Sequence, residues 1–241
     1  MLKIENVEVM GWEHAIRGMR NPMNSWEKSD SFICKEKGPM TLDEIDAECG
    51  KCPKGITDCD ILDGEPHFIL GPNDYALMKR LRNAGTDHRK FMRMIVVYAD
   101  ITGPFYWWKE YSTYKVGTVA NSCSTMHKIH AKEFTIDDFS HEHLLPTAMK
   151  SLEATIDILN EYRDKYNAER DPIVKKDFWW QMIQLLPSSY NQKRTVMLNY
   201  EVLANIYKSR RNHKLDCWHT FCDWIEKDLP YSELITGKDM E

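Results

Sequence analysis

The chain has 241 residues, 42% of them hydrophobic and 29% charged, with a formal net charge of −5. At this size roughly 70–75% of the unfolded chain's surface is buried on folding, so a sizeable core forms without disulfides. Eight Trp, eleven Tyr and eight Phe argue against disorder, the acidic balance argues against a general nucleic-acid coat, and no apolar run approaches the ~20 residues of a membrane helix.

The N-terminus, Met1-Leu2-Lys3-Ile4-Glu5-Asn6, carries acid where a signal peptide would be apolar. Seven cysteines, an odd number, fit mostly free thiols in a reducing cytoplasm. Leu2 to Met10 reads as a strand: Leu2 and Ile4, then Val7 and Val9, alternate with one phase change. Gly11 breaks it, and Trp12, Ala15, Ile16 and Met19 follow helical spacing. From Asn21 to Phe68 the chain is rich in Gly, Pro, Asp, Lys and Cys with weak periodicity; the expectation is an irregular excursion, too long for an ordinary connection.

Asn73 or Asp74 is placed to cap a helix with Leu77, Met78 and Leu81 on its apolar face, ending at Gly85. Met94 to Tyr98 suits a short buried strand, punctuated by Gly103-Pro104. The aromatic run Phe105-Tyr106-Trp107-Trp108 leads into a polar stretch from Lys109 to His130. Leu144 to Tyr166 reads as a long helix, Phe178 to Leu186 as a second, Thr195 to Ser209 as a third and Asp216 to Lys227 as the last. The expected fold class is α+β: one domain over 1–241, with a small, mainly antiparallel sheet and several long helices.

Four cysteines cluster early: Cys34, Cys49, Cys52 and Cys59. The two-residue gap between Cys49 and Cys52 lets two thiolates share one metal, and the other two would complete a tetrahedral zinc set. A single such pair is a weak signal, and unligated thiols are the commoner outcome. His127, His130, His141 and His143 fit solvated histidines. Cys123, in Asn121-Ser122-Cys123-Ser124-Thr125, fits a packed thiol better than a nucleophile. No Gly-rich phosphate loop and no nucleophile elbow occurs. On the expected late helix, Asn199, Asn205 and Arg210 are six and five residues apart, rotations of about 600° and 500° that form no single stripe. Taken alone they fit a capped surface helix, with Arg210 favoured by the dipole at its C-terminal end.

The order of these pieces resembles the flavin-dependent thymidylate synthases. That family shows Leu-Pro, then about a dozen residues later Asn-Ala-Arg-Ser-Leu and a Phe-Leu-x-Leu-Arg ending. Here Leu186-Pro187 is followed by Asn199-Tyr200-Glu201-Val202-Leu203 and Asn205-Ile206-Tyr207-Lys208-Ser209-Arg210, with Asp228-Leu229-Pro230-Tyr231 as a closing segment. The family's Arg-Gln-x-x-Arg-His-Arg signature, its Ser and its Asn-Glu-x-Ser-x-Arg match in layout rather than in residues. Lys109-Glu110, Thr113-Tyr114-Lys115, Thr118, Ala120-Asn121, Cys123 and Thr125 stand at those positions. The Gly-His-x-Ser turn maps to Leu81–His88, with Thr86 in place of the His. The resemblance spans about Asn73 to Tyr231 and, more faintly, Met1 to Arg20; the Cys-bearing stretch has no counterpart.

The resemblance implies an FAD enzyme that reductively methylates dUMP to dTMP, with methylenetetrahydrofolate and NADPH as co-substrates, in a cytoplasmic homotetramer without membrane or nucleic-acid polymer. Arg210 falls on the uracil-facing catalytic position. Asn199, Asn205, Thr113, Tyr114, Lys115 and Asn121 fall on cofactor-binding positions, and Lys109, Glu110, Cys123 and Thr125 join Arg210 on substrate-binding ones. Lys109 and Lys115 keep positive charge but lose the guanidinium fork. Thr113, Tyr114, Cys123 and Thr125 are departures that weaken the expected phosphate cradle. Two other readings therefore stand beside the first: a diverged flavoenzyme acting on another pyrimidine nucleotide, and a non-catalytic homologue that binds a nucleotide or a partner.

Overall fold

The computed structural model describes residues 2–34 and 67–238. Strand β1 (Lys3–Met10) pairs antiparallel with a later strand, and its register shifts between Glu5 and Glu8. The phase change read in the sequence is thus a β-bulge. Asn6 takes φ 51° there, and its amide donates to Asp100 at 2.9 Å. Gly11 then turns the chain with φ 94°; a Cβ at that position would sit 2.1 Å from the Met94 carbonyl oxygen, so a larger residue has neither the conformation nor the space. Helix α1 (Trp12–Arg20) buries Trp12, Ala15, Ile16 and Met19, the predicted face.

The described ends of the expected irregular excursion are ordered. After 3-10 turns at Asn21–Met23 and Trp26–Lys28, β2 (Phe32–Cys34) pairs antiparallel with β3 (His67–Ile69). A long-range polar knot holds this excursion at its root, and periodicity has no access to it. Asp74 is fully buried and Arg20 is 5% exposed, with Nε and Oδ1 2.6 Å apart. The other Asp74 oxygen accepts from the Ser29 and Ser31 hydroxyls at 2.7 and 2.6 Å.

Helix α2 (Pro72–Asn83) starts at Pro72 with Gly71 at its N-cap position, so Asn73 and Asp74, expected as caps, lie inside its first turn and cap nothing. Asp30 satisfies the first-turn amides from outside, accepting from Asn73 N at 2.8 Å and Asp74 N at 3.0 Å.

The expected short strand is longer, β4 (Val96–Pro104), and lies inside the sheet. Helix α3 (Phe105–Tyr111) follows directly and buries Trp107, Trp108 and Tyr111. Next come the edge strand β5 (Val119–Ser122), the short α4 (Thr125–Lys128), and the pair α5 (Pro146–Ala168) and α6 (Pro172–Leu185). The α5–α6 pair carries its own apolar cluster around Leu152, Ile156, Leu159 and Met182.

The segment expected as one helix over Thr195–Ser209 divides. Asn191–Asn199 is strand β6 and Tyr200–Arg210 is helix α7. Val196 and Leu198 are buried at strand spacing, and pairing with β4 from Val96–Asn199 to Pro104–Asn191 outweighs local helix preference. Helices α8 (Asp216–Asp228) and α9 (Glu233–Thr236) complete the chain.

The main sheet has the order β1-β4-β6-β5, all antiparallel, as the α+β expectation required. One face carries Val97, Ala99, Ile101, Val196 and Leu198 into a core completed by α1, α3, α7 and α8. Trp107 is its hub, with ring centroids 4.7 Å from Trp108, 5.1 Å from Trp218 and 5.2 Å from Tyr111. Among the described residues no helix is long and apolar enough to cross a membrane.

Candidate functional site at the end of helix α7

Two chain reversals converge on one surface. Strand β6 passes straight into α7 at Asn199, whose side-chain oxygen accepts from Val202 N at 3.0 Å and caps the helix. Asn199 is therefore a cap at the strand–helix junction and not, as expected, a residue within the helix. Its Nδ2 is left to face the loop after α3. In that loop Gly117 has φ 76°, and a Cβ there would lie 3.0 Å from Asn199 Nδ2 and 3.1 Å from Val202 Cγ2. The absence of a side chain lets the loop lie on the helix start.

The loop is tied down as it leaves α3. The Thr113 hydroxyl donates to the Glu110 carbonyl at 2.7 Å, Ser112 to the Trp108 carbonyl at 2.7 Å, and Thr118 to the Tyr114 carbonyl. These bonds add to the backbone bonds from Ser112 N and Thr113 N that already close the helix end, and they fix the loop that carries Tyr114 to the far end of α7.

There Arg210 is held from several sides. Its Nε donates to the Tyr114 hydroxyl at 2.9 Å, and its Nη1 to Glu110 Oε2 at 3.1 Å. The guanidinium lies 5.0 Å from the centroid of Trp218 and 5.6 Å from that of Tyr114. Glu110 Oε2 also accepts from Trp218 Nε1 at 2.8 Å, and His213 Nε2 is 3.4 Å away. Arg210 is 20% exposed and Glu110 32%. Nη2 of Arg210 has no hydrogen-bond partner among the described residues and is not sealed from solvent. The arrangement is a positioned cation with one face supported and one donor edge open.

Of the residues expected from sequence, Glu110, Tyr114 and Arg210 thus meet directly, and Asn199 borders the same loop. The carboxylate of Glu110 is the partner that spacing alone did not reveal. Trp218 and His213 belong to the cluster too, and no short motif marks them. Thr113 acts as a loop lock, with its hydroxyl committed to the backbone. Lys109, Lys115 and Asn205 are exposed, and their side chains make no ion pair or hydrogen bond among the described residues.

Asn121 sits on β5 opposite Thr195. Cys123, just beyond, is exposed and not packed, because it lies past the last β5 pair on an uncovered edge. Thr125 begins α4 and is half-buried. None of these three makes a hydrogen bond or ion pair to the Arg210 cluster among the described residues.

The histidines divide as well. His130 packs half-buried against Tyr166, with centroids 4.4 Å apart and the rings tilted by 40°, and burial, then Lys128 and Lys175, lower its pKa. His143 lies 3.0 Å from Asp216 at the surface. Cys49, Cys52 and Cys59 lie outside the described residues, and Cys34 contributes only the last backbone position of β2. Among the described residues no group of three or more His, Cys, Asp or Glu is arranged to hold a metal.

No family model and no curated protein matches the sequence. Among solved structures, the chain is similar to thymidylate synthase X (ThyX) from Helicobacter pylori, determined with FAD and dUMP. Identity is 15%, 98% of each chain is covered and the TM-score is 0.60. A second Helicobacter pylori structure, of the flavin-dependent thymidylate synthase ThyX complexed with FAD and dUMP, is 16% identical. It covers 97% of this chain and 99% of that one, with a TM-score of 0.60. At that identity the likeness speaks for architecture, and it does so over almost the whole length: the chain has the fold of these flavin-dependent thymidylate synthases.

Proposed function

We propose that the protein is a flavin-dependent enzyme of pyrimidine nucleotides, and that its reaction is the reductive methylation of dUMP to dTMP with methylenetetrahydrofolate and NADPH. The observation that carries this reading is Arg210: a guanidinium braced by Glu110, Tyr114 and Trp218 with its Nη2 edge open. The fold supports the reading, since the Helicobacter pylori proteins that share it were solved with FAD and dUMP.

The residues present fit such ligands in chemical type. Flavin and uracil rings offer carbonyl acceptors, and both ligands carry phosphate. The surface offers Arg210 Nη2, the Asn199 amide and the ammonium groups of Lys109 and Lys115 as donors. No zinc chemistry enters this reading.

When bound, the flavin supplies the redox step, which no side chain could. The chain's own part is electrostatic and positional. Arg210 donates from Nη2 to a pyrimidine carbonyl and stabilises the negative charge that builds on the ring as its C5 reacts. Glu110 and Tyr114 hold the guanidinium so that it does not reorganise at that moment. Asn199 presents Nδ2 from a helix cap, a rigid mount. Lys109 and Lys115 neutralise phosphate charge as mobile point charges. Oligomeric assembly around this surface, as a homotetramer, belongs to the same proposal.

One observation favours a second reading, a different pyrimidine nucleotide. Glu110 sets a carboxylate acceptor beside the Arg210 donor, a pairing that also suits a ring bearing an amino group, as cytosine does. Both readings are tested together. The purified chain is examined for flavin absorbance, and the reconstituted protein is incubated anaerobically with dUMP or dCMP and the co-substrates. A methylated or hydroxymethylated product from either nucleotide identifies the substrate. A protein that neither carries nor takes up flavin, and changes neither nucleotide, overturns the proposal in favour of a non-catalytic binding role.

A further inference from the structure

The inwardly placed arginines of this chain are nearly all matched with acid. Arg20 has Asp74, Arg89 has Glu201, Arg163 has Asp164 and Arg210 has Glu110. Arg194 differs from these four: it is half-buried on β6, and no carboxylate among the described residues lies within ion-pair distance. Burial draws its pKa down, with only the neighbouring Tyr111 phenol acting the other way. A cation desolvated without a counter-charge is costly, so the fold must hold it for a reason or lower the cost on binding.

The surroundings fix its direction. Gln192 is 7% exposed; its backbone oxygen accepts from Trp108 Nε1 at 2.9 Å and its Nε2 donates to the Cys123 carbonyl at 2.8 Å. That orientation leaves Gln192 Oε1 to accept from Arg194 Nε at 2.9 Å. The guanidinium lies 4.4 Å from the Trp108 ring centroid. One donor is therefore committed, one face is stacked, and both Nη groups lack partners among the described residues without being sealed from solvent. That is the pre-organised fork that matches the geometry of a phosphate oxygen pair.

Two hydroxyls stand beside it. Ser122 is the cross-strand partner of Arg194, so its exposed side chain shares the same face of the sheet. Tyr111 is 2% exposed, and its hydroxyl is a buried orphan with no partner among the described residues. A buried hydroxyl left unsatisfied carries a penalty that an incoming acceptor removes.

We propose that Arg194, with Ser122 and Tyr111, forms a phosphate-binding subsite on the β5–β6 face. Its ligand is the phosphate of a nucleotide, either the monoester of the pyrimidine substrate or the pyrophosphate of FAD; this rests on the reading that the protein binds those molecules. None of the residues assigned to substrate or cofactor from the sequence belongs to it, and it supplies a guanidinium fork where Lys109, Lys115 and Thr125 offer none.

The test uses the full chain as wild type, Arg194→Gln, Arg194→Lys and Ser122→Ala. Thermal unfolding is followed with and without inorganic phosphate, and binding of dUMP, deoxyuridine and FAD is titrated. The expectation is that inorganic phosphate raises the wild-type midpoint and leaves Arg194→Gln unmoved. Arg194→Gln should also raise the dissociation constant of dUMP or FAD at least tenfold while leaving deoxyuridine unchanged. Arg194→Lys should recover part of the loss, and Ser122→Ala, on an exposed strand, should lose affinity several-fold without a change in fold.

A loss confined to dUMP assigns the monoester; one confined to FAD assigns the pyrophosphate. Equal response of wild type and Arg194→Gln to every phosphate-bearing ligand overturns the subsite, as does equal loss of dUMP and deoxyuridine. If inorganic phosphate binds through Arg194 but neither dUMP nor FAD binds the wild type, the subsite stands and the proposed function falls.

Discussion

Arg210 and Tyr114 lie 96 positions apart in the chain and are joined by a 2.9 Å hydrogen bond from the guanidinium Nε to the phenolic oxygen. The bond spans from the loop after α3 to the last turn of α7, and the carboxylate of Glu110 braces the same guanidinium at 3.1 Å. Arg210 ends a helix and fills no core, so Arg210→Ala should abolish product formation while circular dichroism stays that of the folded wild type; losing its bonds to Tyr114 and Glu110 should lower the unfolding midpoint by only a few degrees. Tyr114→Phe removes one bond and keeps the ring. It should cost about 1 kcal/mol in stability and lower kcat more than it raises KM, because a freed guanidinium must reorganise during the reaction.

Asn199 does two jobs that substitution can separate. Asn199→Ala removes the helix cap and should destabilise the fold by about 1 kcal/mol. Asn199→Asp keeps an oxygen for Val202 N and so should retain stability, while exchanging the Nδ2 donor for an acceptor. If Asn199 touches a ligand, flavin or nucleotide affinity falls in Asn199→Asp despite the intact fold; denaturant unfolding and ligand titration on the two variants read the difference.

The Arg20–Asp74 knot predicts an acid-sensitive fold. Burial raises the Asp74 pKa, but hydrogen bonds from Ser29, Ser31 and Arg20, with the Arg20 charge, outweigh it, and the net pKa lies below the ordinary carboxylate value. A depressed folded pKa stabilises above the unfolded value of about 3.9 and is lost as pH falls through the folded one. The stability gap between wild type and Asp74→Asn should therefore be flat above about pH 5 and shrink below about pH 4. At neutral pH the gap should be about 3–5 kcal/mol, since the variant leaves the Arg20 charge buried without its partner. Urea unfolding at a series of pH values measures it.

Trp107 is the hub of the aromatic core, wholly buried among Trp108, Tyr111, Trp218 and Phe221. Trp107→Ala should cost about 3–5 kcal/mol through lost burial and the cavity left behind. Because Trp218 both packs on Trp107 and donates to Glu110, the same variant should also loosen Arg210. Loss of ligand affinity in the fraction that remains folded checks that coupling.

Local pattern was enough for much of this fold. Alternation in Leu2–Met10 showed the first strand and a phase change within it, which the register with β4 explains as the bulge at Asn6. Spacing of three and four placed α1, α5 and α8 within a few residues of their ends. It failed where partners are distant. Thr195–Asn199 reads as the start of a helix, yet it belongs to the strand Asn191–Asn199 because β4 pairs with that strand along its whole length. Asp74 has the form of a cap, yet it is the buried anchor of a segment more than forty residues away.

The candidate site follows the same division. The residue types and their order along Leu186–Arg210, together with the resemblance they carry, singled out Asn199 and Arg210 and pointed to nucleotide chemistry. Sequence by itself determined the α+β class, the amphipathic faces and the aromatic wealth of the core, because these depend on neighbours within a few positions. Only the tertiary structure decided that Glu110 braces Arg210, that Arg194 has no acid partner among the described residues, and that Asn121 and Cys123 make no hydrogen bond to the Arg210 cluster. Charge pairing and burial act through space at a few ångströms, and a chain that reverses direction this often brings together residues whose separation along it says nothing about their distance.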